Sequence, residues 1–136
     1  MTRRLILDAS VAIKIVVAEP DSDLADRVLD YPLAAPDLLL PECGNILWKK
    51  VRMGEVPAAE AEGAALALLA LRVDLLASKR FLAGALRRAV RLNHPIYDCL
   101  YLEAAATLGL ALVTADRKLL RLVEPGVEVL TPDDLT

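Results

Sequence analysis

Cysteine is scarce in this sequence. Cys43 and Cys99 are the only two, too few for a disulfide framework or a four-cysteine zinc site. Each directly follows a carboxylate, Glu42 and Asp98, and free buried thiols are the simplest reading of both. Histidine occurs once, at His94 ahead of Pro95, and is read as a loop residue without a catalytic role. Aromatic residues make up 4% of the chain, which leaves few platforms for base stacking. Trp48, Tyr97 and Tyr101 are accordingly read as core packing. There is no long apolar run, although the hydrophobic fraction is 56% and the mean hydropathy +0.43. The longest uncharged interior run, 104–115, has 12 residues, against about 20 for a membrane-spanning helix. Asp8 and Lys14 interrupt the N-terminal apolar stretch before a signal-peptide core can form. There is no excess of positive charge either: the net charge is −3, so bulk electrostatics do not advertise nucleic-acid binding. These absences leave a soluble, cytoplasmic protein with no membrane segment, whose apolar content serves a core or a subunit interface.

What is present fits one domain, residues 1–136, a length that buries about two-thirds of the unfolded surface. Leu5 to Leu7 reads as a buried strand ending at Asp8, and Ser10 suits the start of a helix toward Val17. Ser22 suits the cap of a second helix, about 23–30. "PLAAP" is a short extended piece. A helix over 38–52 stops at Gly54, with Pro41 tolerable only in its first turn. A helix with Pro57 early, the strand "RVDLLA", and a helix over 78–93 with arginines on one face come next. "YDCLYLEAAATLG" is a helix stopped by Gly109, "LALVTAD" a second buried strand, "RKLLRLV" a short helix, and "VEVLTPDDL" a last strand and tail. Helices alternating with continuous apolar strands predict an α/β fold, an α/β/α sandwich on a mainly parallel sheet. In such folds sites lie outside the carboxyl ends of the strands, where Asp8 and Asp116 both fall.

Four acids stand out. The helix after Asp98 is apolar nearly all round and so is read as buried, with Asp98 buried in it. Taken singly, each acid has a structural explanation: Asp98 and Asp116 as N-caps, Asp8 as a strand end, Glu42 as a first-turn carboxylate. Taken together they do worse. Glu42 and Asn45 share a face of an apolar helix, and two strand ends and two helices each offer an acid near a buried surface. Two carboxylates about 4 Å apart repel by roughly 4 kcal/mol at an effective dielectric of 20. If the four converge they need a cation, and an oxygen-only set favours Mg²⁺ or Mn²⁺ over zinc.

The ordered pieces "LDAS" at 7–10, "PECGNIL" at 41–47, "YDCLYLEAA" at 97–105 and "TAD" at 114–116 resemble a PIN domain of the VapC toxin type, over essentially the whole chain. The resemblance implies a three-layer α/β/α sandwich and a ribonuclease dependent on one or two Mg²⁺ or Mn²⁺ ions. Carried over by position, Asp8, Glu42, Asp98 and Asp116 are the catalytic, metal-binding acids. Ser10, Asn45 and Thr114 are the supporting polar residues. It further implies hydrolysis of RNA phosphodiesters to 5′-phosphate and 3′-hydroxyl ends, a cognate antitoxin and a homodimer. The helices between 55 and 96 carry no family signature, so target choice does not transfer.

The charge distribution supplies candidate RNA-backbone contacts: Lys49, Lys50 and Arg52, then Arg87, Arg88 and Arg91, then Arg117 and Lys118. A basic block is ordinarily a solvated helix face, but it also suits a phosphate rim. Such contacts position RNA without reading it. Two alternatives compete with the toxin reading: a non-catalytic binding module on the same fold, and a stand-alone nuclease of RNA processing. A haloacid-dehalogenase-like phosphotransferase would want a second Asp two residues after Asp8, where Ser10 stands. A receiver domain would want an acidic pair before its first helix.

Overall fold

The topology follows from where the continuous apolar runs fall. In the computed structural model, which describes residues 3–122 and 124–135, β1 (Leu5–Leu7) is completely buried and forms the middle of a five-stranded sheet. Strand β1 leads into helix α1 (Ala9–Val16), α2 (Ser22–Ala25) and a 3₁₀ turn, Asp26–Asp30, before β2 (Leu33–Pro36). Helices α3 (Leu39–Arg52) and α4 (Ala58–Ala70) then lead to β3 (Val73–Leu76). A 3₁₀ turn at Ser78–Arg80, helices α5 (Leu82–Leu92) and α6 (Ile96–Leu108), and β4 (Ala111–Val113) follow. The chain closes with α7 (Arg117–Leu120), β5 (Val129–Leu130) and a 3₁₀ turn at Pro132–Asp134.

The strand order is β3-β2-β1-β4-β5, and every pairing is parallel. Buried on both faces, β1 and β4 carry only Leu, Ile, Ala and Val, as a covered parallel sheet requires. Helix α6 lies on β1, β2 and β4 and carries α5 outside it, while α1 packs against α2, α3 and α4. This is the expected α/β/α sandwich. The chain steps outward from β1 to β2 and β3 and then returns to the other side of β1 with β4. The reversal makes the gap between β1 and β4 a topological switch point, where open parallel sheets place their sites. No helix among the described residues is long and apolar enough to cross a membrane.

Several local expectations are met. Pro41 sits in the first turn of α3, and Gly109 ends α6 in the left-handed region at φ 65, which glycine adopts without strain. Others are corrected. Helix α1 is capped by Asp8, whose side chain accepts from the Ser10 N–H, so the helix starts before Ser10. Ser22 does not cap α2. Its hydroxyl accepts from the Glu19 N–H at 2.8 Å and donates to the Val17 carbonyl at 3.2 Å, stapling the break after α1. The expected helix over 78–93 is split, because Ser78 is drawn to the Asp37 carboxylate by its backbone N–H at 3.1 Å and its hydroxyl at 2.5 Å. Of the short helix expected at "RKLLRLV", the last residue, Val123, lies outside the described residues.

Candidate active site

Asp8 leaves the end of β1 and is buried. Its Oδ2 takes the Ser10 hydroxyl at 2.5 Å, the Thr114 hydroxyl at 2.7 Å and the Ser10 N–H at 3.4 Å. A hydroxyl has one proton to donate, so both are committed to this oxygen. Each then accepts a backbone N–H from the segment after β4: Ser10 Oγ from Ala115 across the gap at 2.9 Å, Thr114 Oγ1 from Asp116 two residues on at 3.0 Å. Two hydroxyls thus lock the end of β4 to the end of β1. Asp116 follows as the N-cap of α7, its Oδ1 accepting from the Lys118 N–H at 2.9 Å. For Asp116 the capping explanation is therefore correct and compatible with a place at the switch point.

Glu42 and Asp98 arrive from helices. Asp98 is the third residue of α6, whose N-cap is Pro95, so it does not cap that helix. Its side chain is 24% exposed rather than buried, and its Oδ2 stands 2.7 Å from His94 Nε2. A carboxylate only accepts, so that nitrogen carries the proton. One turn on, Tyr101 is fully buried and donates its hydroxyl to Glu42 Oε1 at 2.6 Å. Residues three apart share a helix face, so α6 presents Asp98 and Tyr101 together toward α3.

The electrostatics tie three of the acids together. Burial pushes the Asp8 carboxyl above its ordinary 3.8; the Ser10 and Thr114 hydroxyls partly offset this, and the Asp98 charge adds to it. Burial also raises Glu42 above 4.5, with Tyr101 opposing and the charges of Asp8 and Asp98 adding. The neighbouring Cys43 thiol is pushed up to about 12 by burial and by Glu42 and Asp8. It stays protonated and unreactive, as the free-thiol reading expected.

Each of the four carboxylates therefore receives its described hydrogen bonds on one oxygen: Asp8 Oδ2, Glu42 Oε1, Asp98 Oδ2 and Asp116 Oδ1. Each keeps a second oxygen without a described hydrogen bond. Among the described residues no three His, Cys, Asp or Glu side chains close into a ready cage. The four acids offer oxygen donors only, which is the chemistry of a hard divalent cation that completes its shell with water, whereas zinc takes nitrogen or sulfur ligands. The donor set thus fits a hard divalent cation, with the protein donors acting as the outer shell that fixes ligand orientation.

The other sequence candidates separate. Asn45 and Lys49 are exposed and line a cavity with Glu42 and Tyr97. Lys50 is engaged with Glu19 at 2.7 Å and Glu55 at 3.5 Å. Arg88 is engaged with Glu103 and Glu124, both at 2.8 Å, and Arg91 with the same Glu124. These three knit the fold. Arg52 lies over the Trp48 ring, 4.8 Å from its centroid. Arg87, Arg117 and Lys118 are exposed, the last two directly behind Asp116. The core reading holds for Tyr101 and fails for Trp48 and Tyr97, which are 55% and 60% exposed. Sequence reasoning missed His94 as a partner of Asp98 and the Tyr101 hydroxyl as a partner of Glu42. Their spacing from Asp98, four residues before and three after, was the available signal.

The chain is similar to known proteins of one family. A family model described as PIN domain matches residues 5–125. Exonuclease VapC9 of Pyrobaculum aerophilum is 36% identical over 99 residues, 73% of each chain. Ribonuclease VapC3 of the same organism is 32% identical over 122 residues, 85% of this chain and 92% of its own. The crystal structure of PAE2754, also from Pyrobaculum aerophilum, has a TM-score of 0.74 at 30% identity, covering 96% of this chain and 92% of that one. Mycobacterium tuberculosis VapC20, a sarcin-ricin loop cleaving toxin, shares the fold with a TM-score of 0.67 at 16% identity, covering 88% and 97%.

Proposed function

The chain belongs to the PIN-domain family, and on that premise we propose that this nuclease is a Mg²⁺- or Mn²⁺-dependent endoribonuclease, the toxin of a type II toxin–antitoxin pair. The observation that carries the reading is the orientation of the four acids, each with one oxygen held by a protein donor. Asp8 Oδ1, Glu42 Oε2, Asp98 Oδ1 and Asp116 Oδ2 would hold one or two ions. When bound, such a cation supplies an acidified water and charge neutralisation at the phosphate.

The chain's own groups do the rest. Ser10 and Thr114 stabilise the ionised form of Asp8 against the burial that would protonate it. Tyr101 does the same for Glu42, and His94 fixes the rotamer of Asp98. No histidine base is needed, because the cation would itself acidify the water. Lys49, Arg117 and Lys118 offer positive charge at the edge of the acidic cluster, where they position the RNA backbone. The products would carry 5′-phosphate and 3′-hydroxyl ends.

The reading includes two protein partners, a cognate antitoxin and a second copy of the chain. Its support is an apolar stripe on α5, where Leu82, Leu86 and Val90 recur every fourth residue and are 56%, 55% and 76% exposed. Light scattering of the purified chain reads the homodimer directly: twice the chain mass is expected, and the single-chain mass rules the dimer out.

The activity is tested with linear and circular labelled RNAs in Mg²⁺, Mn²⁺ or EDTA. Cleavage of both forms in metal, and of neither in EDTA, is expected. Cleavage of linear RNA alone would make the enzyme an exonuclease. Cleavage that persists in EDTA, or none across a broad set of structured RNAs, would defeat the proposal.

A further inference from the structure

Beside the acidic cluster, and sharing Glu42 as a wall, is an open cavity of about 490 Å³. One side is the face of α3 that carries Glu42, Asn45 and Lys49, spaced so that all three share it. The other side is Tyr97, at the start of α6 and next to Asp98. Leu38 and Ile46 line it between them. The volume is in the range of small-ligand sites. Three of the lining groups carry recognition chemistry: the Asn45 amide, the Lys49 ammonium and the Tyr97 ring. None makes a hydrogen bond or ion pair with another described residue, in contrast to Lys50 and Arg88, which are fully engaged.

The arrangement is polarised. The end at Glu42 adjoins the carboxylates, where a bound cation would take a phosphate. The end at Lys49 lies about 10 Å further along the helix, at 1.5 Å per residue, and is positive. A chain with regularly spaced negative charges and flat apolar groups between them matches that pattern. An exposed tyrosine gives a sequence-tolerant stacking surface, an amide offers both donor and acceptor to a base edge, and a lysine meets phosphate as a point charge.

We infer that this cavity is a nucleotide subsite for single-stranded RNA. The base next to the scissile phosphate stacks on Tyr97, Asn45 hydrogen-bonds its edge, and Lys49 holds the phosphate beyond it. The inference rests on the nuclease reading and goes beyond it, since it assigns the position at which sequence is read. It also gives the unpaired bases of loops and tails an advantage over duplex, because only a splayed base can enter.

The test uses short single-stranded oligoribonucleotides carrying 2-aminopurine at successive positions, in Ca²⁺, with gel electrophoresis checking that the RNA stays intact. One position should be quenched on binding. Tyr97→Ala should abolish that quenching and weaken binding about 5- to 150-fold, the range for one stacked base, while Tyr97→Phe retains both. Lys49→Ala should weaken binding to every sequence and reduce the slope of log affinity against log salt by about 0.7. Asn45→Ala should alter base preference at the quenched position and, in Mn²⁺, shift the cleavage sites. All four variants are at exposed positions, and thermal melts confirm that they fold. If the Ala variants bind and cut as wild type does, the subsite is overturned, the nuclease stands, and the cavity is left to a protein segment. If wild type neither binds nor cuts RNA, both readings fall.

Discussion

His94 Nε2 stands 2.7 Å from Asp98 Oδ2, so the chain's one histidine is committed to the acid at the start of α6. The contact fixes which Asp98 oxygen remains for a ligand. Removing an outer-shell partner of this kind typically costs 10- to 100-fold in metal affinity. His94→Ala should therefore weaken Mn²⁺ binding by about tenfold or more in calorimetry, and His94→Gln, which keeps a donor, should recover part of it. RNA cleavage by His94→Ala should show a reduced kcat with KM for RNA little changed. Unaltered Mn²⁺ affinity would reduce His94 to a loop residue.

The raised Asp8 and Glu42 carboxyls make a statement about stability. Both bind a proton more tightly in the folded chain than in the unfolded one. Their contribution is complete below the ordinary values of 3.8 and 4.5 and is lost as pH rises through the raised ones. Asp8→Asn cannot ionise. In EDTA, the stability of wild type relative to Asp8→Asn should fall as pH rises above the ordinary Asp value of 3.8, read from thermal melts. Mn²⁺ should reverse the trend for wild type alone, adding about 2.7 kcal/mol at a hundredfold excess over Kd. A difference that stays flat with pH would mean that Asp8 ionises freely in the folded state.

The Tyr101–Glu42 bond, at 2.6 Å, joins α6 to α3 inside the site. Tyr101→Phe keeps the ring in the core and removes one donor. Leaving a part-buried carboxylate without it should cost about 1–3 kcal/mol in urea unfolding and push Glu42 higher still. A double-mutant cycle with Glu42→Ala, which removes the acceptor, isolates the pair: the cost should largely vanish in the Ala background. Equal costs in both backgrounds would assign the loss to core packing.

Much of this was legible in the sequence. Leu5–Leu7 and Ala111–Val113 are continuous apolar runs, and only a covered parallel sheet accommodates two such strands. Asp8 directly follows the first and Asp116 comes three residues after the second, so their place at the carboxyl end came with the fold. The role of Asp98 was harder to read, since an aspartate near a helix start looks like a cap; only the helix boundary at Ile96, two residues earlier, removes that role. His94 was missed because it lies outside α6, and the four-residue spacing that signals such a pair is a reliable guide only within a helix. Trp48 and Tyr97 were misread because aromatic type argues for burial, and no local pattern says which face of α3 or α6 is left open. The pairing of Lys50 and Arg88 with acids is tertiary, and charge counting alone made them look available.

The account's central claim is that Asp8, Glu42, Asp98 and Asp116 act as one cation site. Calorimetric titration of Mn²⁺ into wild type and into Asp8→Asn, Glu42→Gln, Asp98→Asn and Asp116→Asn tests it most directly. The account predicts saturable binding by wild type, and affinity reduced about tenfold or more in each variant while the fold is retained. A wild-type chain that does not take up Mn²⁺, or carboxamide variants that bind it as tightly as wild type, would contradict it.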